Sequence, residues 1–464
     1  MLFASNIFLF CFLPAVVIIY YILPKRSLKN YFLLISSLLF YAYGEPKFVL
    51  IMLLSIIINY LVGIFIDLFK EKKKLSKLIL IFGILYNILI LFVFKYLVFT
   101  IRNINNLFKI NFSVKDILLP IGISFFTFQC LSYIIDVYRR KINVQKNPFY
   151  LGLYISFFPQ LIAGPIVRYS TIQEQICNRC ESVDMFFDGI KRFIVGLGKK
   201  VIIANTMALI ADYIFNLDLG VKNISTLSVW LGAIAYTLQI FYDFSGYSDM
   251  AIGLGKIFGF SFEENFNYPY ISKSITEFWR RWHISLGTWF RDYVYIPLGG
   301  NRVKKWRLFL NLGIVWLLTG LWHGANWTFI IWGVLYFFLI SFEKITDNIR
   351  NKIPIVVQYI TTIFFVIIGW VLFRSSSISF AFNYIKRMFT FKNMYDLKFA
   401  ELLLENIVIL LFALIFCLPI MKKVSESKNR IVLILYHFSL VVVFIISMSY
   451  IIKGSYNPFI YFNF

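Results

Sequence analysis

Three histidines occur in this chain, and two of them sit where an imidazole could do proton chemistry. His283 lies in TEFWRRWHISLGTWFRDYVYIPLGGNR (Thr276 to Arg302) and His323 in WLLTGLWHGANW (Trp316 to Trp327), each among polar and aromatic residues of an otherwise apolar sequence. Ionisable residues at membrane depth are costly and mark pathways or active sites. Burial disfavours the imidazolium. The neutral ring can then take a proton from a hydroxyl and sharpen its attack on a thioester. Such chemistry also needs donors for the developing oxyanion, and Trp322, Asn326 and the backbone after Gly324 are the candidates. Arg280, Arg281, Arg291, Arg302, Lys304 and Lys305 offer positive charge, either to a phosphate-bearing acyl donor or to anionic lipid headgroups. His437, in LILYHFSLVVV, has no charged residue beside it and reads as a packed or interfacial side chain.

Other chemistries find less support. Ser285 stands two residues from His283, but no G-x-S-x-G elbow surrounds it, which argues against a Ser-His hydrolase. No P-loop and no dinucleotide fingerprint is present. No clustering of His, Cys and carboxylates suggests a metal. Cys177 and Cys180 form CNRC, the spacing of half a zinc site or a redox pair, yet no second CxxC and no nearby His completes it. The pair reads as structural. Cys11, Cys130 and Cys417 fall in apolar stretches and behave as small hydrophobes.

The elements that position these residues must be membrane helices. Of 464 residues, 60% are hydrophobic and only 15% charged, against about 45–50% and 25% in soluble domains. A soluble enzyme, a disordered binder and a secreted disulfide scaffold are thereby excluded. The formal net charge of +23 does not point to nucleic acid, because the basic residues lie between apolar spans, as the positive-inside rule distributes them. Hydropathy places spans near 5–23, 30–43, 48–69, 78–100, 117–138, 148–167, 193–216, 226–242, 306–322, 325–342, 355–373, 402–420 and 431–452, some too short or too polar to be ordinary crossings. Basic loops such as KEKKKLSK (Lys70 to Lys77) and YRRKINVQK (Tyr138 to Lys146) put the N-terminus outside and these loops in the cytoplasm. RVKKWR (Arg302 to Arg307) is cytoplasmic on the same logic, so His323 falls roughly 25 Å along the following helix. A water-accessible channel is expected at that depth, and His283, just before the basic loop, is expected nearer the cytoplasm. From 168 to 305 the charges, glycines and short apolar pieces predict re-entrant and interfacial amphipathic helices around a cavity. No repeat or linker interrupts the chain, which reads as one membrane domain over 1–464.

At these motifs the chain resembles a known family. FYDFSGYSDMAIGLGKIFGF (Phe241 to Phe260), ENFNYPYISKSITEFWRRWHISLGTWFRDYVYIPLGGNR (Glu264 to Arg302) and LLTGLWHGANWTFIIWG (Leu317 to Gly333) look like the membrane-bound O-acyltransferase (MBOAT) family, in its bacterial alginate and peptidoglycan O-acetylating branch. LPIGISFFTFQCLSYIIDVYR (Leu119 to Arg139), FFPQLIAGPIVRY (Phe157 to Tyr169) and the terminal NPFIYFNF (Asn457 to Phe464) fit as well. The resemblance implies an all-α polytopic fold of about eleven transmembrane helices, with re-entrant and amphipathic helices around a central tunnel and a catalytic core at 119–333. It implies acetyl transfer from a cytosolic donor, acetyl-CoA, for O-acetylation of a cell-envelope or extracellular polysaccharide. The family's essential histidine falls on His323 and its second polar position on His283. Arg280, Arg281, Arg291, Trp322 and Asn326 would line the substrate path. No metal or bound cofactor is implied; an extracytoplasmic SGNH-type acetyltransferase is the implied partner, and the cytoplasmic membrane the location. The D-alanyl-transferring branch shares the RWHxSL and WHG cores but not YIPLGGNR (Tyr295 to Arg302), and a non-catalytic transporter or lipid-binding scaffold is the remaining alternative.

Overall fold

The computed structural model describes residues 1–162, 164–217, 224–350, 352–391, 393–454 and 456–458. Among them every regular element is a helix. The residues fall into two compact units, the first of Met1–Phe193 with Ser248–Glu263, the second of Ile194–Tyr247 with Glu264–Phe464.

The first unit holds α1 (Phe8–Ile22), α2 (Arg26–Gly44), α3 (Val49–Leu68), α4 (Lys73–Phe108), α5 (Ile123–Tyr138), α6 (Pro148–Ser156), α7 (Phe158–Leu161) and α8 (Tyr169–Asn178). Helix α3 packs against α4, α5 and α6. Between α3 and α4 the buried amides of Asn59 and Asn87 exchange hydrogen bonds of 3.2 and 2.8 Å, the polar glue expected where apolar attraction between helices is absent. The 148–167 stretch is not one crossing. Pro159 has no N–H to offer the Ile155 carbonyl and its ring would clash with it, so α6 stops at Ser156, Phe157 turns out at ψ 110°, and α7 begins anew. The apolar character of this stretch reflects burial inside protein: Phe157, Phe158 and Leu161 are buried together with Gln160.

The CNRC motif also lies in this unit, and its buried member is the arginine. Cys177 and Cys180 are exposed free thiols. Arg179 is buried, donating to Asn30 Oδ1 at 2.7 Å, the Phe258 carbonyl at 3.0 Å and Tyr20 Oη at 3.1 Å, and so ties α1, α2 and the end of α8 together. Glu181 accepts from Arg26 and Tyr20 beside it. Burial alone would raise its pKa, but these hydrogen bonds and the Arg26 and Lys29 charges hold the carboxyl low, at about 2.

Two long helices, α9 (Val183–Phe215) and α10 (Thr226–Ile257), contribute residues to both units. The polar run after residue 242 was expected to end a span. Instead α10 continues for 32 residues, and Asp243, Ser245, Ser248 and Asp249 within it are buried, as polar groups in a helix of this kind must be. In the second unit Lys200 forms a buried ion pair of 2.7 Å with Asp243, the two side chains 3% and 2% exposed. Its ammonium also donates to Asn205 Oδ1 at 3.0 Å and to the Pro458 carbonyl. Of the terminal NPFIYFNF motif, residues 459–464 lie outside the described residues.

The second unit also holds α11 (Ile275–Arg281), α12 (Ile284–Phe290), α13 (Lys305–His323), α14 (Trp327–Ile345), α15 (Ile355–Arg374), α16 (Ile378–Met388), α17 (Leu397–Phe416) and α18 (Arg430–Ile452), among shorter helical pieces. Among the described residues seven helices, α3, α4, α9, α14, α15, α17 and α18, are long and apolar enough to cross a membrane, and α1 and α5 are shorter apolar helices. Helices α13 and α14 approach closely through Gly320 and Gly333: a Cβ on Gly333 would stand 2.4 Å from the Trp316 carbonyl oxygen. Backbone cannot swing aside, so Gly333→Ala is expected to force the helices apart at a cost of about 1–3 kcal/mol. A thermal unfolding midpoint unchanged in detergent would refute that.

Candidate active site

Local sequence shapes the segment that carries RRWH. Ser274 caps α11, its hydroxyl accepting from Glu277 N at 3.0 Å, and Glu277 reaches back to the Lys273 N–H at 2.8 Å. Glu343 of α14 completes the N-terminus, accepting from Ile275 N at 2.5 Å, Thr276 N at 2.9 Å and Thr276 Oγ1 at 2.7 Å. A carboxylate there also meets the positive end of the helix. Glu343→Ala removes the two oxygens that accept three hydrogen bonds and is expected to destabilise the chain by about 1–3 kcal/mol. An unfolding midpoint in detergent at the parental level would show that α11 needs no such clamp.

After Arg281 the chain turns sharply. His283 has φ +45°, a left-handed conformation that few side chains other than Asn, Asp and His tolerate. The turn is stitched to the loop before α11 by Ile284 N to Asn265 O at 3.0 Å and Asn267 N to Arg281 O at 2.9 Å. It delivers the His283 ring, 3% exposed, edge-on to Phe244 at a centroid distance of 4.6 Å. His283 lies outside the spanning helices, and burial pushes its pKa down to about 3. The ring is therefore neutral at physiological pH.

His323 is the last residue of α13, and Gly324 follows in an extended conformation at φ 176°. This helix has 19 residues, and its first and last are about 27 Å apart at 1.5 Å per residue, so the imidazole stands at the far end from Lys305. It is 6% exposed. Its ring neighbours are aromatic, with Trp322, Trp332 and Phe373 each at 5.0 Å.

Both imidazoles neighbour one indole: the Trp322 ring is 5.0 Å from His323 and 5.8 Å from His283. Sequence reasoning expected His283 near the basic RVKKWR loop. The contact with Trp322 puts it instead at the His323 end of α13. Nearness in sequence misled, because residues 284–300 run back along α13, where Leu298 and Gly300 accept from Asn311 Nδ2 at 3.2 Å each.

The other candidates divide. Arg281 is held by Glu277, at 2.8 Å, and by the Asn267 carbonyl, at 3.2 Å. Arg291 pairs with Asp292 at 2.7 Å in a short π-helical segment, Arg291–Tyr295. Arg280 is exposed and makes no side-chain hydrogen bond or ion pair among the described residues. Asn326 caps α14, accepting from Thr328 N at 3.1 Å, and gives an amide proton to the Ser376 carbonyl at 3.2 Å. Ser285 donates to Asn265 Oδ1 at 2.8 Å and stands 3.5 Å from His283 Nδ1. His437 is exposed on α18, with Nδ1 donating to the Leu433 carbonyl at 2.6 Å. No group of three or more His, Cys, Asp or Glu among the described residues could hold a metal. Asn265, Glu343, Trp332 and Phe373 were missed from sequence; the last of these, with Glu343, lies beyond the 119–333 core.

Comparison with known proteins adds what geometry alone does not. Residues 35–386 match the family model of MBOAT, the membrane-bound O-acyltransferase family. The chain is 42% identical to the probable alginate O-acetylase AlgI of Pseudomonas aeruginosa, over 89% of this chain and 82% of that protein. It is 36% identical to the peptidoglycan O-acetyltransferase of Helicobacter pylori, over 84% and 80% respectively. Similarity to the teichoic acid D-alanyltransferase of Bacillus subtilis, at 33% identity, covers 54% of this chain and 68% of that protein.

Proposed function

This multi-pass chain belongs to the membrane-bound O-acyltransferase family, and from that premise we propose that it takes acetyl groups from cytosolic acetyl-CoA and moves them across the cytoplasmic membrane for O-acetylation of a cell-envelope or extracellular polysaccharide. Similarity to an alginate O-acetylase and a peptidoglycan O-acetyltransferase over more than four-fifths of the chain supports an acetyl group and a polysaccharide. The observation that carries the chemistry is the pair of buried imidazoles that share Trp322 as a ring neighbour, at 5.0 and 5.8 Å. His323 is the base or acyl-handling residue and His283 orients or relays. In the transfer an acceptor hydroxyl oxygen attacks the thioester carbonyl; the C–O bond forms, the C–S bond breaks, and the hydroxyl proton passes through imidazole to the departing sulfur. Arg280, exposed beside this segment, suits the phosphates of the donor better than Arg281, which Glu277 occupies. Outside, an SGNH-type acetyltransferase passes the group to the polymer.

Sealed vesicles containing the full chain, given either radiolabelled acetyl-CoA or a D-alanyl-charged carrier protein, test the donor. Label is expected to leave acetyl-CoA and to depend on His323. Transfer from the D-alanyl carrier alone would move the chain to the teichoic acid branch. Flux that survives loss of both histidines would make it a transporter.

A further inference from the structure

We propose that Asn265 is a positioning residue that locks His283 in the tautomer protonated at Nδ1, leaving the Nε2 lone pair as the ring's proton-accepting atom. Three groups converge on Asn265 Oδ1: the Ser285 N–H at 3.2 Å, Ser285 Oγ at 2.8 Å and His283 Nδ1 at 3.1 Å. A backbone N–H can only donate, so the atom it faces is the carbonyl oxygen of the amide and the side chain is not flipped. That oxygen can only accept. A neutral imidazole beside it must therefore carry its proton on Nδ1. Nε2 is then bare, and it is buried with no hydrogen-bond partner among the described residues.

The surroundings make the lock rigid. Asn265 is fully buried, its backbone carbonyl accepts from Ile284 N, and Phe244 stands edge-on to the imidazole. Ser285 and His283 are both donors to one oxygen, which explains physically why they are not a Ser-His dyad: His283 presents Ser285 with an N–H and has no lone pair on that side to take the hydroxyl proton. Burial keeps the ring uncharged, so the lock selects between two neutral forms. The consequence for transfer rests on the acyl-transfer reading of the site; the tautomer itself does not.

The test is nitrogen NMR of the full chain, labelled with ¹⁵N-histidine, in lipid nanodiscs, with the His283 signals assigned by their loss in His283→Gln. The expected spectrum has a protonated Nδ1 and an unprotonated Nε2. Asn265→Asp keeps an acceptor and is expected to keep that tautomer. Asn265→Leu removes it and is expected to release the lock, with acetyl transfer falling about 10–100-fold, as for other partners that orient a working histidine. A wild-type ring protonated at Nε2, or an unchanged tautomer in Asn265→Leu, overturns the proposal. A tautomer that shifts in Asn265→Leu while transfer holds supports the lock and instead removes His283 from the reaction. Should Asn265→Leu fail to fold, the wild-type and Asn265→Asp spectra decide.

Discussion

His323→Ala is expected to cut polysaccharide acetylation by about 10²–10⁴-fold, the contribution of a well-placed general acid or base. The ring closes α13 at the end remote from its basic start, and aromatic walls from Trp322, Trp332 and Phe373 leave it almost no exposure. Losing an imidazole from such a place removes a proton carrier, and the second imidazole, His283, stands 5.8 Å from the shared neighbour Trp322. Equal membrane abundance must be verified, since the same ring also fills space. His437→Ala is the matched control: that side chain is exposed on α18 and hydrogen-bonded to the Leu433 carbonyl of its own helix, so acetylation is expected to stay at the wild-type level. A His323→Ala chain as active as the control would end the assignment.

The second large effect is on stability. Lys200→Met is expected to cost about 3–5 kcal/mol, because it strips the ammonium from a buried Asp243 carboxylate while the carboxylate stays. Asn205 and the Pro458 carbonyl lose their donor in the same step. The sign of the double variant separates this from simple loss of packing. Lys200→Met combined with Asp243→Leu replaces an ion pair by apolar surface of similar volume, which is often neutral or stabilising. It is expected to recover most of the loss. Unfolding midpoints in detergent measure both; a single variant that unfolds where the parent does would mean the pair carries little.

What the sequence made legible is the part governed by hydropathy and spacing. The helical class, the long apolar helices α3, α14, α15 and α18, and the placement of His323 at the end of its helix all follow from runs of apolar residues bounded by charge. The histidine candidates stood out because ionisable residues in apolar surroundings are costly. Three features were not legible, each for a physical reason. Helix α10 runs on through Asp243 and Asp249 because protein burial, which hydropathy cannot distinguish from water, accommodates them. The break at Phe157 depends on Pro159 inside a stretch that is apolar throughout. Asn265 meets His283 only through a left-handed turn at residue 283, which no local propensity announces. The motif ENFNYPY, quoted above for its resemblance, was the one signal that could have drawn attention to it.

The most direct measurement is mass spectrometry of acetyl esters on the envelope and secreted polysaccharides of the source organism after deletion of this gene, with complementation by wild type or by His323→Ala at matched abundance. The expected result is that one polymer loses its esters, that the wild-type chain restores them, and that His323→Ala does not. Esters unchanged by the deletion, or fully restored by His323→Ala, would contradict it.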